Sequence, residues 1–107
     1  MKKAADCRSM EELRVEIDRI DLSLMQLLAE RWSFINRAAE IKADAGLPAD
    51  IPSRVDEVRA NVRAHAEALG LDPLFYDRLW SQLIRHSIDF EDEVLSPGRD
   101  ANGAPGA

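Results

Sequence analysis

Cysteine occurs once in the 107 residues, at Cys7, and histidine twice. One cysteine cannot close an internal disulfide, and with His65 and His86 it leaves too few ligands for a structural zinc site. No apolar run approaches the roughly 20 residues that a membrane span requires. The opening Met1 to Cys7 lacks the apolar core of a signal peptide, so the expected location is cytoplasmic. Positive charge is also short: 14 basic residues against 20 acidic ones leave a net charge of −6. That balance argues against a general nucleic-acid binder, which needs a basic face. Absent too are a glycine-rich phosphate loop, a Ser-His-Asp set and a cluster at metal-ligand spacing. No metal and no cofactor are expected, and a catalyst of this composition would work by positioning and electrostatics.

What is present suits one small soluble domain: 46% hydrophobic and 32% charged residues. Only five glycines and five prolines punctuate the chain, and they divide it cleanly. Ser9-Met10-Glu11-Glu12 reads as a capping box opening a first helix. From there to Ala45 no glycine or proline intervenes. Residues 46–52, Gly-Leu-Pro-Ala-Asp-Ile-Pro, form a break. A second helix starts near Ser53 and runs to Leu69, with Gly70 placed for a left-handed cap. Asp72-Pro73 supplies the N-cap and first position of a third, ending near Leu95. The expected organisation is an N-terminal extension over 1–8, a helical domain over 9–95 and a disordered tail over 96–107. There is no strand alternation, and the class is all-α.

The first helix is very long, about 50 Å at 1.5 Å per residue, against a radius of gyration near 13 Å for a compact domain this size. Its apolar residues keep a 3-4 spacing: Met10, Leu13, Ile17, Ile20, Leu24, Leu27, then Phe34, Ala38, Ile41 and Ala45. Such a seam wants a helix along its whole length. Two shorter helices cannot easily cover it all, so a dimer with paired long helices is expected.

Arg31 breaks that seam, and burying an arginine there without an anion is costly. Lys42 lies eleven residues on, three turns and about 16 Å along nearly the same face. The pair suggests a small-anion site; equally, Arg31 pairs with an acid from another helix and Lys42 extends to water. Arg14 lies about 25 Å from Arg31, too far to share its ligand within one chain. It reaches such a site only across a dimer; otherwise it is a surface charge. On the third helix Ser87 and Glu91 fall on or beside an apolar face with Leu83, Ile84 and Ile88. Either they line the same groove, or Ser87 bonds a carbonyl one turn back and Glu91 serves Arg31. Asp89, Asp92 and Glu93 read as a solvated face, His65 and His86 as surface or packing residues, and Trp32 and Trp80 as packing anchors.

These residues resemble the all-helical, type II chorismate mutase family, which includes isochorismate pyruvate-lyases of salicylate and siderophore synthesis. Residues 13–21, Leu-Arg-Val-Glu-Ile-Asp-Arg-Ile-Asp, match its L-R-x-x-I-D-x-I-D motif. Residues 27–31 match its L-L-x-x-R, Lys42 its lysine, and Pro52-Ser53-Arg54 the P-x-R of its second helix. The likeness covers roughly residues 9–95. It implies an intertwined dimer of three-helix chains with two sites, each completed by Arg14 of the partner chain. It further implies that Arg14 and Arg31 hold the substrate carboxylates, while Lys42 bonds a carboxylate and the ether oxygen. Arg54 and Ser87 orient the ligand, and Glu91 donates the second hydrogen bond to that oxygen. The catalytic set so implied is Lys42, Glu91 and Arg31.

The implied reaction is the Claisen rearrangement of chorismate to prephenate, an isomerase step of the shikimate pathway toward aromatic amino acids. Being pericyclic, it needs no nucleophile, base, metal or cofactor. The enzyme selects a compact conformer of a dicarboxylate and stabilises charge on the ether oxygen. Two residues depart from the common pattern. Glu91 stands where many bacterial members carry glutamine, and a carboxyl donates a hydrogen bond only when protonated; activity is therefore expected to rise as pH falls. Val55 stands where mutases commonly place a glutamate that binds the ring hydroxyl. Lyase-type relatives often carry an apolar residue there, and Asp50 in the poorly matching loop over 44–53 is a possible substitute. Chorismate mutase is the first expectation and isochorismate pyruvate-lyase the second. A non-catalytic helical dimer module is third, disfavoured by Arg14, Arg31 and Lys42, which packing alone does not require.

Overall fold

The computed structural model describes residues 2–96. A short 3-10 turn, Ala4–Asp6, precedes α1 (Met10–Ala45), α2 (Pro52–Ala68) and α3 (Pro73–Leu95). No strand occurs among the described residues. The all-α class and the very long first helix, 36 residues, are as the sequence implied. Beyond Ser96, the expected tail lies outside the described residues.

The helix boundaries follow from local chemistry. Ser9 Oγ accepts from the Glu12 amide at 3.1 Å. Glu12 reaches back to the Arg8 amide at 3.0 Å, one residue beyond the amide a reciprocal capping box uses. Lys2 joins the same carboxylate at 2.9 Å. α2 begins at Pro52, a residue earlier than expected, because the proline ring already sets a helical φ at a position whose N–H would be unpaired. At α3, the Asp72 carboxylate accepts from the Leu74 and Phe75 amides at 3.0 and 3.4 Å. Gly46 and Gly70 end α1 and α2 in the left-handed region, at φ +70° and +76°. Each closes a Schellman turn: Leu47 N–H donates to Lys42 O at 2.9 Å, and Leu71 N–H to Ala66 O at 2.8 Å.

The chain divides into two compact units, Met1–Phe34 and Ile35–Ala107. In the second, α2 packs on α3 around buried Ala49, Ile84 and Ile88, with Val55, Val58 and Leu95 partly covered beside them. Arg59 clamps the pair of helices, giving two parallel 2.9 Å hydrogen bonds to the Asp77 carboxylate. Arg63 approaches the same carboxylate at 3.2 Å. In the first unit the seam of α1 is exposed. Ile17, Ile20, Leu24, Leu27 and Phe34 are 46–68% exposed, a larger apolar stripe than a soluble surface normally leaves bare.

Candidate active site

Lys42 lies in the last turn of α1, where the helix dipole favours a cation. Its ammonium turns inward rather than to water. Nζ donates to Glu91 Oε1 at 2.6 Å and to the Ala49 carbonyl at 2.8 Å, with 18% of the lysine side chain exposed and 5% of the glutamate's. A charge-assisted bond this short, between groups largely withdrawn from solvent, is among the strong ones.

Glu91 owes its place to α3's buried stripe. Asp77, Ile84, Ser87, Ile88 and Glu91 are the buried residues of that helix, at helical spacing. Asp89, Asp92 and Glu93 are exposed around it, as their charge suggested. The counter-ion of Glu91 is Lys42, not the Arg31 weighed from sequence. Ser87 takes the local option: its Oγ donates to Leu83 O at 3.0 Å. It is buried one turn before Glu91, and its oxygen keeps acceptor capacity.

Arg54 is exposed and pairs with Glu57 on its own helix at 2.9 Å. Val55 is half-buried against the Ala49–Ile84–Ile88 core, so an acid there would displace an apolar contact. Asp50, exposed, borders two depressions. One, about 580 Å³, is lined by Lys42, Leu47, Asp92 and Leu95 among others. The other, about 160 Å³, lies beside Val55, Arg59, Ser81 and Arg85. In the first unit Arg14 is exposed and Arg31 half-buried. Neither has a hydrogen bond or ion pair among the described residues. Two unpaired guanidiniums on a helix rich in acids are available for an anion.

Two features escaped the sequence reading. The Ala49 carbonyl has no side-chain signature. Asp77 had one, because it falls seven residues before Ile84 on α3's buried stripe, where an acid implies a cation opposite. Hydrogen bonds from Arg59 hold the Asp77 carboxyl below its ordinary value, helped by the charges of Arg59 and Arg63 and opposed by burial. The same bonds raise Arg59. Among the described residues no group of three or more His, Cys, Asp or Glu is arranged for a metal, and no helix is long and apolar enough to cross a membrane.

Residues 13–92 match the type II chorismate mutase family. An isochorismate pyruvate lyase of Pseudomonas aeruginosa is 38% identical over 97% of this chain and 99% of its own length. A 4-amino-4-deoxychorismate mutase of Streptomyces pristinaespiralis is 30% identical over 95% of this chain and 76% of its own. A chorismate mutase of Methanocaldococcus jannaschii is 28% identical over 87% and 94%. The match spans most of the chain, and with its motifs and three-helix architecture the chain belongs to the type II chorismate mutase family.

Proposed function

We propose that the protein is a chorismate mutase, rearranging chorismate to prephenate in sites shared by two copies of the chain. The observation that carries this reading is the Lys42–Glu91 contact at 2.6 Å beside buried Ile84 and Ile88. The rearrangement asks for fixed donors at the ether oxygen in a site poor in water. Lys42 supplies one N–H, and Glu91 in its acid form supplies an O–H. Neither takes a proton from carbon or forms a bond to the substrate. Arg31 holds one carboxylate, and Arg14 of the second copy holds the other. Arg54 and Ser87 orient the ligand; Arg54 must first leave Glu57, an exposed pair that costs little to break. The bare apolar stripe of α1 supports the dimer, since a second copy would bury it.

Isochorismate pyruvate-lyase is the second reading. Val55 favours it, because an apolar side chain offers the ring hydroxyl no acceptor. The 38% identity to a lyase along nearly its whole length favours it too. Both reactions use the same grip on a dicarboxylate. Purified protein incubated separately with chorismate and isochorismate decides between them. Prephenate as the faster product supports the mutase; salicylate with pyruvate supports the lyase; turnover of neither leaves a helical dimer module.

A further inference from the structure

A lysine ammonium has three N–H bonds to give, and Lys42 has committed two of them within its own chain. One acceptor, Glu91, arrives from α3. The other, the Ala49 carbonyl, stands only seven residues downstream, where a continuing helix could not present it. The chain is brought back by Gly46. Its left-handed φ of +70° reverses the backbone, and Leu47 N–H closes the turn on the carbonyl of Lys42 itself, at 2.9 Å. Ala49 is then fixed from the other side, 6% exposed and packed against Ile84 and Ile88.

We propose that Gly46 and Ala49 are positioning residues that hold the Lys42 ammonium so that one N–H is left for the ligand. This rests on the reading that Lys42 meets the substrate's ether oxygen. The turn ties the lysine's own backbone to the loop, and the loop's carbonyl ties down its charged end. Chain direction, stem and head are thus held together. An ammonium so held needs no reorganisation as charge builds on the oxygen, whereas a free lysine would spend entropy and solvent rearrangement in the barrier. The loop therefore contributes to rate without touching the reacting atoms.

Gly70 provides a matched control. It closes the same kind of turn at φ +76°, and at both glycines an added Cβ meets nothing within 4 Å. Gly46→Ala and Gly70→Ala thus impose similar backbone strain and no clash. Both should lower Tm comparably. Only Gly46→Ala should lower kcat, by roughly ten- to a hundredfold for a misplaced donor, with a smaller change in KM. Gly46→Asn, which tolerates the left-handed region, should recover most of the loss. A readout independent of turnover is the 15N-edited NMR signal of the Lys42 ammonium. It should be protected from solvent exchange in the wild type and Gly70→Ala, and lost in Gly46→Ala. Equal kcat in the two alanine variants, or no protected ammonium in the wild type, overturns the proposal. If the wild type turns over neither chorismate nor isochorismate but keeps the protected signal, the functional reading falls and the positioning stands.

Discussion

Glu91 accepts a 2.6 Å hydrogen bond from Lys42, a residue 49 positions earlier in the chain. As a carboxylate it can only accept; as an acid it keeps an oxygen that accepts from Lys42 and adds an O–H of its own. One proton therefore adds one donor at the site. Turnover should rise as pH falls and be lowest at the alkaline end of the range. Glu91→Gln, always a donor, should flatten the profile and overtake the wild type there. A wild-type rate constant across that range would exclude this role for Glu91.

Stability and catalysis separate at the same pair. Lys42→Met leaves the Glu91 carboxylate buried without its cation, a change that costs about 3–5 kcal/mol for a buried ion pair. Lys42→Met with Glu91→Leu removes both charges and should regain most of that stability, because apolar replacement of a buried pair is often neutral. Neither variant should rearrange chorismate. Urea unfolding with a rate assay on the same samples checks both halves. Activity in the stable double variant would show that the pair serves packing alone.

The fold was more legible than the site, for physical reasons. Helix ends are written in neighbouring residues, so Asp72-Pro73 and Gly70 announced the α2–α3 junction. The 3-4 spacing of Ile17, Ile20, Leu24 and Leu27 likewise announced an apolar face, which is exposed in the structure. Contacts between helices carry no such local mark. Nothing near Lys42 says that its head meets Ala49 O rather than water, and Arg54 looks identical in sequence whether it pairs with Glu57 or faces a ligand. Ser87 had two plausible partners, and its own helix supplied the nearer one. Asp77 was legible and passed over: an acid in phase with Ile84 and Ile88 required a cation opposite, and Arg59 provides it.

That clamp has a pH signature. Hydrogen bonds from Arg59, with the charges of Arg59 and Arg63, depress the Asp77 carboxyl below its ordinary 3.8. A group whose folded value is the lower one stabilises the fold above its unfolded value and loses that contribution as pH falls through the folded value. Tm should therefore decline as pH drops below about 4. Asp77→Asn should be less stable near neutrality and lack that part of the acid decline. Parallel curves of Tm against pH for the two proteins would rule out the clamp as a contributor.

Residue 55 offers a test of the choice between the two substrates. Val55→Glu puts a carboxylate acceptor beside the depression bordered by Asp50 and Ser81, where a ring hydroxyl could donate to it. A hydrogen bond to a charged acceptor is worth about 1.5–3 kcal/mol. Turnover of chorismate should gain over isochorismate by roughly tenfold, read as the ratio of their kcat/KM values. The buried charge should also lower Tm, because Val55 gives up contact with the core. An unchanged ratio would mean that residue 55 does not face the ring.

Complementation tests the shared site. Arg14→Ala and Arg31→Ala should each be inactive as pure proteins. In the proposed dimer, a mixed pair rebuilds one site, in which intact Arg31 of one copy meets intact Arg14 of the other. The second site of that pair lacks both arginines. Random re-association makes half the dimers mixed, so activity should return to about a quarter of wild type after joint unfolding and refolding. If each site drew both arginines from one chain, the mixture would stay inactive at every ratio. Leu24→Glu, placed on the bare stripe of α1, should yield monomers by sedimentation and abolish the recovery.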